Sequence, residues 1–181
     1  MSANPNLTGT WTLDATHSRL GFVARHAMVT KVRGSFTDFA GSAVLDVDDV
    51  AGTKVDVTIA VASVNTGNEQ RDGHLRTNDF FDAVNFPQIH FAATGAEAID
   101  DENYRLVGDL TIKDTTLPVS VDFEFTGLAT DPYGNQRAGF EGRTVINRKD
   151  WGVNFNAALE TGGVLVSEKI TLEFDISMIK S

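Results

Sequence analysis

Residues Val119–Gly127 read VSVDFEFTG. Val119, Val121, Phe123 and Phe125 fall on one side of this stretch, and Ser120, Asp122 and Glu124 on the other. Successive side chains leave a strand on opposite faces, so a period of two predicts a β-strand with one face buried and one in water. The alternation recurs on both sides of it. In KVDVTIAVA, from Lys54, the residues Val55, Val57, Ile59 and Val61 share a face. In YRLVGDLTI they are Tyr104, Leu106, Gly108, Leu110 and Ile112, and in AGFEGRTVI they are Ala138, Phe140, Gly142, Thr144 and Ile146. In KITLEFDIS, Ile170, Leu172, Phe174 and Ile176 oppose Lys169, Thr171, Glu173 and Asp175. Asp122, Glu124, Glu141 and Glu173 are expected in water.

Further strands are read at Gly9–Asp14, Ser18–Met28, Val32–Asp46 and Gln88–Gly95. Turn chemistry separates them at DDEN (Asp100–Asn103), DPYGN (Asp131–Asn135) and Gly162–Gly163. The reading is all-β, with about eight or nine antiparallel strands, each apolar on one face. Such strands pack as two sheets or curl into a barrel. Glycines within strands, at positions 21, 34, 41, 108 and 142, suit the bends that closure requires. One segment breaks the alternation: NTGNEQRDGHL (Asn65–Leu75). Thr66 and Glu69 stand at capping-box spacing, which predicts a helical insertion near residues 67–81, with a second turn over Thr77–Phe81.

The 181 residues suit a single domain, 1–181. A net charge of -10 argues against general nucleic-acid binding and against simple adhesion to anionic lipid headgroups. With no cysteine there is neither disulfide nor thiolate chemistry. MSANPNLTG lacks the basic and apolar regions of a leader peptide, and no apolar run is long enough to span a bilayer, so the chain is read as cytoplasmic.

No nucleophile elbow, phosphate loop or zinc-protease pair is present. His17, His26, His74 and His90 are scattered, so no metal site is expected. Asp72 with Arg71 or Arg76 reads as a surface or capping pair. His26 shares a face with Leu20, Phe22 and Ala24. It is read either as a buried histidine bonded to a carbonyl or as a polar group at the mouth of a pocket. Twelve phenylalanines against two tyrosines fit a packed aromatic core or a lined cavity equally well, because both produce the same alternation.

Four blocks in order resemble the YceI-like family: WTLDATHSRLGFVARHAMVTKVRGSFTDFAG (Trp11–Gly41), NTGNEQRDGHLRTNDFFDAVNFPQIHF (Asn65–Phe91), VGDLTIKDTTLPV (Val107–Val119) and AGFEGRTVINRKDWGVNF (Ala138–Phe155). Departures are Thr77, where serine is usual, and Asp114, where glycine is usual. Asp114 suggests that the turn after Ile112 does not demand a positive φ.

The resemblance implies an extended antiparallel eight-stranded lipocalin-like barrel with a short helical insertion. It implies an apolar tunnel that stores or transports an amphiphilic isoprenoid lipid, such as a polyprenyl phosphate or a prenyl quinone, with no other cofactor. From the N-terminal half the expected lining is Leu20, Phe22, Ala24, His26, Phe36, Phe39, Val57, Ile59, Val61, Leu75, Phe80, Phe81 and Phe91. The C-terminal half adds Leu106, Leu110, Phe123, Phe125, Phe140, Trp151, Phe155, Leu172 and Phe174. The helical segment is expected as a lid anchored by Arg71, His74 and Arg76, with Phe86 lining or plugging that end. The expected partner is the hydrophobic ligand, without nucleic acid or an integral membrane segment; a homodimer is compatible. Two alternatives stay open: an enzyme acting on a prenyl lipid with His26 as acid or base, and a solid-core barrel working through protein partners.

Overall fold

The computed structural model describes residues 4–159 and 163–181, so Gly162 of the expected glycine turn lies outside the described residues. In chain order the strands are β1 (Gly9–Leu13), β2 (Arg19–His26), β3 (Thr30–Phe36), β4 (Phe39–Leu45), β5 (Lys54–Ala60) and β6 (Val64–Asn65). Helix α1 (Glu69–Leu75) follows, then β7 (Gln88–Ala98), β8 (Asn103–Ile112), β9 (Thr115–Thr130), β10 (Gln136–Asn147) and β11 (Lys169–Lys180).

Every pairing is antiparallel, and the sheet closes where β1 meets β11, with Trp11 opposite Lys180. The result is a closed eight-stranded barrel. Three of its staves are bent: β1 continues into β2, β3 into β4 and β5 into β6, with β1 and β2 both against β11 and β5 and β6 both against the β3–β4 stave. The expected single strand Val32–Asp46 is therefore broken at Thr37–Asp38. There the Thr37 amide donates to the Ser63 carbonyl at 3.3 Å instead of continuing a ladder. The expected strand Ser18–Met28 ends at His26, because Ala27 and Met28 turn the chain with φ of 50° and 64°. Bulges in β7 (Thr94, between Ala93 and Gly95) and in β9 (Thr126, opposite Gly139/Phe140 of β10) add the twist that closure needs.

Two turn readings are corrected. The cap of α1 is Asn68, whose side chain accepts the Arg71 amide at 2.9 Å, and not Thr66. The turn after Ile112 does carry a positive φ, of 56°, on Lys113 rather than on Asp114.

The barrel has two distinct ends. At one, Trp11 is fully buried with Leu7, Ala43, Ala138 and Met178, and its indole N–H donates to the Leu7 carbonyl at 2.8 Å. Arg137 joins strands at this end by pairing with Asp14 at 2.6 Å and Asp131 at 2.8 Å. The guanidinium, with bonds from Thr16 and His17, outweighs partial burial and holds the Asp14 carboxyl far below the carboxylate range. Burial acts to raise Asp131, but bonds from Arg137, Asn135 and the Tyr133 amide prevail and hold it at about 2. At the other end lie α1, the turns up to Phe86, the β2–β3 hairpin and residues 148–159 and 163–168. Trp151 is buried there and donates to the Leu110 carbonyl at 2.9 Å.

Candidate functional site

A cavity of about 340 Å³ runs inside the barrel between the two ends. That volume lies within the roughly 300–1,000 Å³ usual for small-molecule sites. Its lining follows β8 from Tyr104 to Ile112, roughly 26 Å along the strand at about 3.3 Å per residue. Inward side chains of β2, β5, β7, β8, β9, β10 and β11 form the wall. Its charged members, Asp46 and Arg148, belong to opposite ends. A solid-core barrel is therefore set aside.

Glycine keeps the lumen open. The Phe123 ring lies on Gly142, directly opposite it across the β9–β10 ladder, where an added Cβ would stand 2.5 Å from the ring. Phe22 covers Gly34 in the same way, so each aromatic ring lies along the wall rather than across the lumen.

The helical segment covers one end, with Leu75, Phe80 and Phe81 facing the cavity. Its anchors are polar. Asp72, 4% exposed, accepts the Thr66 amide at 2.8 Å and the Thr66 hydroxyl at 2.6 Å. This corrects the surface-pair reading: the buried carboxylate organises the chain entering α1. Arg71 donates from Nε to the Thr66 Oγ1 at 2.7 Å and from Nη2 to the Thr66 carbonyl at 2.8 Å. Arg76 Nε donates to the Ala62 carbonyl at 3.1 Å. His74 meets Asp79 at 2.8 Å, and its ring stands edge-on to Phe80 and Phe155.

Arg148 holds the other half of this cover. It is 5% exposed, and it donates to the carbonyls of Ser167 (2.8 Å), Val153 (2.7 Å) and Val166 (3.2 Å). Burial lowers its pKa, and the Glu168 charge partly offsets this. The clamp spans residues 18 and 19 positions apart, which no local pattern reveals.

Sixteen of the expected lining residues face the cavity: Leu20, Phe22, Ala24, Phe36, Val57, Ile59, Leu75, Phe80, Phe81, Phe91, Leu106, Leu110, Phe123, Phe140, Leu172 and Phe174. Six do not. His26 is exposed, because β2 has left the barrel wall by that residue and pairs with Thr30 in the hairpin. Phe39 packs behind Leu13 and Leu20, which line the cavity in its place. Val61 leaves the strand alternation in a 3₁₀ turn and is buried beside Phe80 and Ile89. Phe125 packs against Phe140, the rings tilted by 45°, among the residues around Trp11. Trp151 and Phe155 pack under the cover, Phe155 against His74 and Phe80. Phe86 is half-buried and also outside the lining.

Residues not singled out complete the wall. Ile112, Val119, Val121, Ile146, Ile170 and Ile176 line it, all on faces that the alternation already placed inward. Leu7, Val47 and Val50 line the end around Trp11 and lie in irregular segments with no alternation to read. His17, His74 and His90 each meet one aspartate, and none of the four histidines faces the cavity. Among the described residues no cluster of potential metal ligands occurs.

A family model described as a YceI-like domain matches residues 11–178. A UPF0312 protein of Staphylococcus aureus strain N315 is 42% identical over 164 residues, covering 90% of this chain and 93% of its own. Burkholderia cenocepacia BcnA superposes with a TM-score of 0.80 at 23% identity, over 91% of this chain and 98% of that one. A Campylobacter jejuni YceI protein gives 0.74 at 30% identity, over 87% and 90%. A polyisoprenoid-binding domain from Saccharophagus degradans gives 0.72 at 16% identity, over 94% and 98%.

Proposed function

This chain belongs to the YceI-like family, and from that premise we propose that it binds an amphiphilic isoprenoid lipid whose tail fills the barrel. The observation that carries the reading is the elongated cavity, apolar along its middle and charged only toward its ends. The Saccharophagus degradans domain of similar fold, named for polyisoprenoid binding, supports it.

Burying each CH₂ contributes about 0.8 kcal/mol. Two isoprene units, about ten carbons, would supply roughly 8 kcal/mol, comparable with the about 4–15 kcal/mol lost on association. Useful affinity therefore requires a long tail, and a tunnel rather than a cup. Of the two ends, that of Arg148 suits an anionic headgroup such as a prenyl phosphate; a quinone head would need no charge there. Binding in this form serves storage or transport, and the family and its structural neighbours favour binding over catalysis.

The test is titration with prenyl alcohols of increasing length, from geranyl upward. Affinity should climb with each isoprene unit until the tunnel is full and then level off. Affinity independent of chain length would overturn the reading.

A further inference from the structure

We propose that the barrel docks on an anionic lipid bilayer through the β2–β3 hairpin, so that the covered end of the tunnel faces the membrane and the Trp11 end faces away. This goes beyond the lipid-binding reading and stands on the surface of the hairpin alone.

The net charge of -10 conceals a sharp local asymmetry. From Thr16 to Thr37 the chain carries Arg19, Arg25, Lys31 and Arg33 and no acidic residue. Arg25 stands directly opposite Lys31 across the ladder, an arrangement that costs stability in isolation. Arg19 approaches Glu173 at 3.9 Å, but among the described residues no carboxylate pairs with Arg25, Lys31 or Arg33. These three exposed cations belong to one hairpin and lack the counter-ions that an ordinary surface of this acidic protein would supply.

The tip is apolar. Met28 is 60% exposed and Val29 76% exposed. Ala27 and Met28 adopt positive φ, a backbone that Asn and Gly take at little cost. A polar turn would thus be the easier choice at this tip. Arg25 Nη1 donates to the Val29 carbonyl at 3.2 Å, fixing the tip in place. Cations behind an exposed apolar point match the headgroup and upper acyl layers of an anionic leaflet.

The opposite end complements this. Its β4–β5 loop carries Asp46, Asp48 and Asp49, and its β7–β8 loop Asp100, Asp101 and Glu102. An anionic surface repels that end and attracts the hairpin, which orients the barrel. Acidic residues of the helical segment beside the hairpin are engaged locally, Glu69 by Arg76 and Asp79 by His74. Docking also places the tunnel beside the bilayer. Ala24 and Phe36, on the two arms of the hairpin, line the cavity, as does Val166, which bridges to His26.

The test is co-sedimentation of the full chain with vesicles of phosphatidylcholine alone, or of two parts phosphatidylcholine to one part phosphatidylglycerol. Binding is expected only to the second kind at low salt, with release at 1 M salt, where the Debye length falls to about 3 Å. Each surface cation contributes about fivefold, so the triple variant R25Q/K31Q/R33Q should bind about 100-fold more weakly. Met28→Ser with Val29→Ser should weaken binding about tenfold, while Lys54→Gln, beside the acidic end, should change it less than twofold. Equal binding to neutral vesicles, or undiminished binding by the triple variant, would overturn the proposal. Uptake of a prenyl alcohol from detergent solution is measured on the same variants. Its survival in the triple variant shows that the protein is folded and separates loss of docking from loss of the tunnel.

Discussion

Gly142→Ala tests whether the Phe123 ring borders open space. An added Cβ would lie 2.5 Å from Phe123 Cδ1, 2.7 Å from Cε1 and 3.0 Å from the Asp122 carbonyl oxygen. Relaxed carbon contacts need about 3.5–4.0 Å, so the ring must move by roughly 1 Å or more, and the lumen is the side free to receive it. Overpacking a filled core costs about 1–3 kcal/mol. Here the ring moves into a cavity of about 340 Å³, and replacing a strand glycine regains about 0.5–1 kcal/mol. Stability in urea should therefore change by less than about 1 kcal/mol. Binding should suffer more, because the displaced ring takes the place of about two methylenes, worth about 1.6 kcal/mol or roughly 15-fold in affinity. The assay is a prenyl-alcohol titration beside a urea melt, with Phe123→Leu added to Gly142→Ala to restore the space and the affinity. A fall in stability of about 3 kcal/mol with unchanged binding would refute the reasoning, since it would mean a closed core and a ligand bound elsewhere.

Phe123→Asp should abolish prenyl retention in protein that circular dichroism shows to be folded, because a carboxylate facing the tunnel has no partner there. His26→Ala should change prenyl affinity less than twofold by the same titration, since the imidazole is exposed and outside the lining. Arg148→Met should cost on the order of 3–5 kcal/mol in a urea melt, because three backbone carbonyls lose a charged donor. Hydrogen exchange should rise first at Val153 and Val166. Asp131 is depressed in the folded state, so its contribution is present above its ordinary value of 3.8 and is lost as pH falls toward about 2. Arg137→Gln should flatten the fall in melting temperature across that acid window.

The parity of β8 to β11 was legible because those staves are unbroken: one alternation runs along β8, β10 and β11, and in β9 it holds as far as Phe125, before the register shift at Thr126. It failed where the chain leaves a stave. The alternation Val55–Val57–Ile59 extrapolates to Val61, but Val61 begins a 3₁₀ turn and its amide bonds to the Pro87 carbonyl at 3.0 Å. The face of Leu20, Phe22 and Ala24 extrapolates to His26, which lies in the projecting hairpin. Parity also says nothing of depth: Phe39 and Phe125 pack against lining residues, Phe39 on Leu13 and Leu20 and Phe125 on Phe140, without lining the cavity themselves. The Arg148 clamp and the Asp72–Thr66 bonds were hidden for a different reason. A polar side chain in the sequence does not reveal which backbone groups the fold will leave for it to satisfy.

The central claim is that the barrel holds an isoprenoid chain in its lumen. Extraction of the purified protein with organic solvent, followed by mass spectrometry, tests it most directly. The account predicts a prenyl lipid at close to one per chain in the parent, and its loss from folded Phe123→Asp. A parent that yields no prenyl lipid and takes none up when loaded in detergent, or a Phe123→Asp protein that keeps its lipid, would contradict it.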